Sequence, residues 1–180
     1  MTSKILILIL FICFSFSETI TESRETAITR AVNKIGPAIA SINIEQHISS
    51  FSFDPFFGVG FPRDIIPMKS SGSGVVISPD GYVMTNQHVI AGADRITVTL
   101  TGGDEYDAQL VGSDETSDLA LLKLKGNNFP YAKLGDSDDL IIGEWIIALG
   151  NPFQLFSVSN KPSASVGIVS ATHMDFGHQK

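Results

Sequence analysis

Two side chains in this sequence have the types and the placement to move a proton together. His88 closes the run Tyr82-Val83-Met84-Thr85-Asn86-Gln87-His88, and Asp118 opens Asp118-Leu119-Ala120-Leu121-Leu122-Lys123-Leu124. A carboxylate entering a row of Leu and Ala is costly to desolvate unless a protonated or hydrogen-bonding group meets it. An imidazole in turn needs an acceptor on Nδ1 to fix its tautomer, so that Nε2 is free to take a proton from a nucleophile. That is the division of labour in a Ser-His-Asp site. On the spacing alone, an unconnected surface histidine and strand-end aspartate account for the residues equally well.

The elements that must position this pair are mostly strands. Gly74-Val75-Val76-Ile77 is rich in β-branched residues, Pro79-Asp80-Gly81 is a turn, and Tyr82 to Thr85 runs back as a second strand. The polar triplet Asn86-Gln87-His88, followed at once by Val89-Ile90-Ala91-Gly92, then puts His88 at a strand end facing a cleft. Arg95 to Leu100 predicts a strand with Ile96, Val98 and Leu100 on one face, Gly102-Gly103-Asp104 turns it, and Glu105 to Val111 returns. Asp118 to Leu124 is the next strand, and Lys125 to Asp139 is a crossover rich in Gly, Asn, Pro and Asp. Trp145-Ile146-Ile147-Ala148-Leu149 is continuously apolar, the pattern of a strand buried on both faces, and Val166 to Thr172 predicts another.

Upstream, Ile28, Ala31, Val32 and Ile35 have helical spacing, and Gly36-Pro37 ends it. Ala40, Ile42 and Ile44 alternate with Ser41 and Asn43 as a half-buried strand, after which His47 is expected in a solvated loop. The stretch from Phe51 to Phe61 holds Phe51, Phe53, Phe56, Phe57 and Phe61 among turn formers, so it is expected to be irregular. Five exposed rings would make a large apolar patch, so they either cover the barrel floor or dock on another subunit or an active-site mouth. Pro62 to Ser71 reads as a flexible connection.

Five blocks carry a family resemblance: Gly72-Ser73-Gly74-Val75-Val76-Ile77, Thr85-Asn86-Gln87-His88-Val89, Ser117-Asp118-Leu119-Ala120-Leu121-Leu122-Lys123, Ala148-Leu149-Gly150-Asn151-Pro152-Phe153 and Gly167-Ile168-Val169-Ser170-Ala171. In this order, over Ala31 to Thr172, they resemble the HtrA/Deg family of trypsin-like serine endopeptidases. The resemblance implies an all-β, trypsin-like double β-barrel with a short N-terminal helix. It implies His88 as general base, Asp118 as its orienting acid, unfolded or misfolded polypeptides as substrates, and homotrimers built through the Phe51 to Phe61 region.

The chain departs from that family in two respects. The resemblance implies a nucleophilic serine in a Gly-Asn-Ser-Gly-Gly motif, and the 180 residues hold none. Ser157, Ser159, Ser163, Ser165 and Ser170 all lack the flanking glycines that let backbone amides approach an oxyanion. The loop after Phe153 is also longer than the family's and has Gln154 where glycine is usual. We therefore expect a fragment, inert by itself, organised as a signal peptide (1–17), an N-terminal helix with first strand and Phe-rich loop (18–69), a first barrel carrying His88 and Asp118 (70–136), and an incomplete second barrel (137–180).

Composition narrows the function further. Lys4 followed by the mostly apolar run Ile5 to Phe16, with Ser15-Phe16-Ser17 supplying small residues for cleavage, reads as a secretory signal peptide and implies an exported, periplasmic or extracytoplasmic protein. The run is shorter than the roughly twenty residues a spanning helix needs. Cys13 lies inside this signal, so the mature chain would have no thiol for a disulfide, a cysteine nucleophile or a thiolate metal site. The formal charge is −7, and losing Lys4 with the signal makes it −8, so sequence-independent nucleic-acid binding has no electrostatic basis.

No cofactor and no metal are expected. Asp136-Ser137-Asp138-Asp139 lacks the spacing of a calcium loop, and His173, Asp175 and His178 read as a trailing tail. Two further functions compete with the protease: a secreted peptide-binding or chaperone-like barrel in which His88 and Asp118 survive as a structural hydrogen bond, and a metallohydrolase using His88, Asp114 and Asp118. One imidazole with two carboxylates is a poor zinc site, which disfavours the latter.

Overall fold

A computed structural model of the chain describes residues 24–54, 56, 58–151 and 161–173; of the side chains of 48–54 and 59–65 nothing is said. The first described element is helix α1, Ala27–Ile35. Thr26 and Thr29 start it reciprocally: the Thr29 amide donates to Thr26 Oγ1 at 3.2 Å and the Thr26 amide to Thr29 Oγ1 at 2.8 Å. Pro37 sits in a single 3-10 turn, Gly36–Ala38, where its missing N–H does no harm.

Six antiparallel strands then close a barrel: β1 (Ile39–Asp54), β2 (Val59–Val76), β3 (Tyr82–Thr85), β4 (Arg95–Leu100), β5 (Glu105–Asp114) and β6 (Leu119–Leu124), in the spatial order β1-β2-β3-β6-β5-β4. Closure removes the free edges that an open sheet would present to other chains. The period-two patterns place Ile42, Val76, Val83, Val98, Leu122 and Leu124 wholly inside. Each such side chain contributes about 1.5–3 kcal/mol relative to exposure. Phe129 plugs one end, edge-on to Tyr106 with ring centroids 5.2 Å apart. The expected hairpin forms, pairing Gly74 with Thr85 and Val76 with Val83, and Gly81 turns it at φ +92°. An added Cβ at Gly81 would also come within 2.7 Å of Phe129.

The expectations need correction at three places in the chain: the Phe-rich stretch with the segment after it, His47, and the strands beyond the crossover. The described residues of the stretch from Phe51 to Phe61 are mostly strand, and the segment Pro62 to Ser71 is strand throughout: β1 runs to Asp54, β2 starts at Val59, and the two pair from Ile39 opposite Val75 to Asp54 opposite Val59, with one register shift between Ser49 and Phe51. Proline and glycine are tolerated there because β2 has β1 on one side only; β3 joins its other side just at Gly74 to Val76. His47 is accordingly not in a loop. It sits in β1 opposite Pro67, and both its amide and its Nδ1 meet Asp94 Oδ2 at 2.8 Å.

The third correction concerns burial beyond the crossover. β7 (Trp145–Gly150) pairs with β8 (Ser163–Ile168) in a two-stranded sheet, from Trp145 opposite Ile168 to Gly150 opposite Ser163. The apolar run of β7 is largely exposed, with Trp145 at 70 % and Ile146 at 44 %. A continuous apolar run signals cover on both faces, and one partner strand supplies an edge but no face. β8 also starts and ends earlier than the predicted Val166 to Thr172. A buried asparagine ties this sheet to the barrel: the Asn151 amide donates to Ser73 Oγ at 2.7 Å and its Nδ2 to Ser41 Oγ at 2.8 Å. Gln154, Asp175 and His178 lie outside the described residues, and Asp136 turns the crossover by accepting the Asp138 amide at 3.0 Å.

Candidate active site

His88 is presented by a helical turn, α2 (Gln87–Ile90), rather than by the end of β3 itself. The turn is anchored from both sides. Ile90 is buried in the barrel core, and Val89 lies so close to the backbone of Gly72 that a Cβ there would sit 2.6 Å from its methyl groups. Thr85, the last residue of β3 and two before the turn begins, is tied to β2 through its hydroxyl, which donates to the Ser73 carbonyl at 2.8 Å.

Asp118 arrives from the opposite side, between β5 and β6. Asp114 builds its approach, accepting the Thr116 amide at 3.1 Å, the Ser117 amide at 3.3 Å and the Ser117 hydroxyl at 2.6 Å. These bonds, led by the hydroxyl, hold the Asp114 carboxyl below its ordinary range. The structure therefore keeps Asp114 in its own turn and does not bring it to His88. Asp118 adopts φ +51°, a left-handed conformation that aspartate takes more readily than most residues.

The two segments meet through a dense set of bonds. His88 Nδ1 lies 2.7 Å from Asp118 Oδ2, and the His88 amide donates to Asp118 Oδ1 at 2.9 Å. The Gln87 amide donates to the Asp118 carbonyl at 3.2 Å. Asn86 Nδ2 donates to the same carbonyl at 3.1 Å and to Asp118 Oδ2 at 3.2 Å. The His88 amide, with help from the ring and from Asn86, holds the Asp118 carboxyl below its usual range. An ionised Asp118 accepts only, so Nδ1 must carry the proton and Nε2 is left as an acceptor. The side chains remain open to solvent, 69 % for His88 and 42 % for Asp118.

Of the other serines considered, Ser163 and Ser165 lie on β8 and Ser170 follows it, while Ser157 and Ser159 fall outside the described residues. Sequence reasoning took Asn86, Gln87 and His88 together as a polar triplet and singled out only the histidine. The placement of an asparagine two residues before it was the available signal for Asn86. Ser73 and Gly72 are supporting residues that an isolated sequence gives no reason to separate from the hairpin around them.

Known proteins resemble this chain over most of its length. The trypsin-like peptidase domain family matches residues 72–179. A probable periplasmic serine endoprotease, DegP-like, from Hahella chejuensis is 38 % identical over 161 residues, spanning 79 % of this chain and 33 % of that protein. A protein of the same description from Pseudomonas putida is 52 % identical over 103 residues, 57 % of this chain and 20 % of its own. Among solved structures, the HtrA-type protease AlgW with a decapeptide is similar with a TM-score of 0.66 at 39 % identity, covering 84 % of this chain and 47 % of that one. The same protease with a tripeptide gives 0.67 at 36 %, covering 86 % and 43 %. The chain thus spans about a third of the length, or less, of these curated relatives and under half of the solved chains. With the barrel, the ordered motif blocks and these matches together, the chain belongs to the trypsin-like peptidase family, in its HtrA/Deg branch.

Proposed function

We propose that this chain carries the base and the acid of an exported serine endopeptidase that hydrolyses peptide bonds in unfolded proteins. His88 is the general base and Asp118 the carboxylate that orients it. The observation that carries the reading is the 2.7 Å contact between His88 Nδ1 and Asp118 Oδ2, reinforced by the His88 amide on Asp118 Oδ1. As a serine hydroxyl attacks the substrate carbonyl, Nε2 takes its proton, and the imidazolium so formed faces the Asp118 carboxylate. The same Nε2 then returns the proton to the departing amine. The nucleophile that the resemblance implies is a serine in a Gly-Asn-Ser-Gly-Gly motif, which the 180 residues do not contain.

Export is supported by the basic start and apolar run of Met1 to Ser17 and by relatives described as periplasmic. Trimer formation through the Phe51 to Phe61 region rests on the family resemblance and on the density of aromatic residues there. The test uses the gene product that contains these residues, assayed for cleavage of an unfolded reporter protein and for labelling by a serine-directed phosphonate. Asp118→Asn is expected to lower turnover by about 10⁴-fold and His88→Ala by at least as much. Either variant keeping turnover of wild-type order would remove the assignment, and labelling of the 180-residue chain alone would show that one of its own serines is the nucleophile.

A further inference from the structure

Asn86 stands at the N-cap of the α2 turn, with extended backbone at φ −83° and ψ 147°, yet its side chain makes no capping bond. An asparagine in that place ordinarily accepts an amide from the first turn. Here the second residue of the turn, His88, gives its amide to Asp118 Oδ1 instead, at 2.9 Å. The cap is thus delivered by a carboxylate from a distant part of the chain, and the Asn86 amide is released for another use. Its two hydrogens have two acceptors on one residue: the Asp118 carbonyl at 3.1 Å and Asp118 Oδ2 at 3.2 Å. Oδ2 is the oxygen that meets His88 Nδ1 at 2.7 Å.

We infer that Asn86 is a positioning residue that locks the Asp118 carboxylate in the one rotation that keeps the proton on His88 Nδ1. The inference rests on the His88–Asp118 reading above. A carboxylate with one donor on each oxygen can still rock or exchange its oxygens. A second donor on Oδ2, and a tether from the same amide to the backbone carbonyl, removes that freedom. The tether also braces Asp118 in its left-handed conformation, φ +51°, which for a residue with a Cβ persists only where its surroundings over-determine it. The proton on His88 is in turn kept off Nε2, the nitrogen that must accept.

The prediction separates a donor from a cap. Aspartate matches asparagine in size and caps a turn as well, so a purely local role lets Asn86→Asp stand. The positioning role does not, because it replaces a donor with a carboxylate facing Asp118. We would label the protein with ¹⁵N-histidine and read the ring tautomers, with His47 on Asp94 as the internal control. The Nδ1–H signal of His88 is expected in the wild type, weakened in Asn86→Ala and lost in Asn86→Asp, with the His47 signal unchanged throughout. Retention of the His88 signal at wild-type strength in Asn86→Asp overturns the inference and leaves the His88–Asp118 pair intact. Absence of the Nδ1–H in the wild type itself overturns both. Should Asn86→Ala fail to fold, as the His47 signal would report, Asn86→Asp carries the comparison.

Discussion

At the residue scale the chemistry is concentrated on Asp118, whose carboxylate receives the His88 amide, His88 Nδ1 and Asn86 Nδ2. These donors lower its pKa from the ordinary 3.8, the His88 amide most, so the folded chain binds this proton less readily than the unfolded chain does. The stability it contributes is therefore present above pH 3.8 and is lost as pH falls through the lowered folded value. Asp118→Asn is expected to lower the thermal midpoint at neutral pH, and the gap to wild type is expected to narrow once the pH drops below 3.8. A gap independent of pH, in melting curves followed by circular dichroism, would show that the carboxylate is not held in its charged form. Asp94, held low first by the His47 ring and then by its amide, acts in the same sense, so His47→Ala is expected to lower the thermal midpoint at neutral pH, with the gap to wild type narrowing below pH 3.8.

The scale of elements explains why the α2 turn sits where it does. Gly72 matters for space rather than for backbone freedom, since any Cβ there would press on both methyl groups of Val89 at 2.6 Å. Gly72→Ala is expected to push the turn outward at a cost of about 1–3 kcal/mol, and with it to lengthen the His88–Asp118 contact. The check is a chemical denaturation midpoint together with the His88 Nδ1–H signal; a variant with both unchanged would mean that Val89 finds another rotamer. Leu122, wholly buried on β6 four residues after Asp118, supports the other side. Leu122→Ala is expected to cost about 2–5 kcal/mol, because a closed barrel collapses poorly around a lost side chain.

For the whole molecule, the consequence lies in the β7–β8 sheet, where Trp145, Ile146, Val166 and Ile168 are exposed together with Ile141 and Ile142 of the preceding loop. Apolar surface of this kind seeks cover. Trp145→Lys is expected to raise the monodisperse fraction of the 180-residue chain in size-exclusion chromatography while leaving the barrel's unfolding transition in place. An unchanged elution profile would mean that the surface is already covered in solution. Asn151 is the joint between this sheet and the barrel, and its buried side chain on Ser41 makes Asn151→Ala expected to loosen the sheet before the barrel.

The sequence by itself determined the alternating apolar parts of the barrel strands, the Gly81 turn, His88 and Asp118 as candidates, and the motif order that carried the family. These features are local: alternation sets which face of a strand is buried, a turn needs its glycine, and a polar residue at the end of an apolar run stands out wherever the chain goes. What the tertiary structure decided depends on neighbours distant in sequence. The Phe-rich stretch is a paired ribbon because β1 and β2 satisfy each other's backbone, which outweighs the turn formers within it. His47 has a partner because Asp94 returns to β1 from a loop, and β7 is exposed because its pattern records a need for cover and not its presence. Asn86 shows the same limit most sharply: its type and place spell a cap, and only the arrival of Asp118 from the turn before β6 made it a donor.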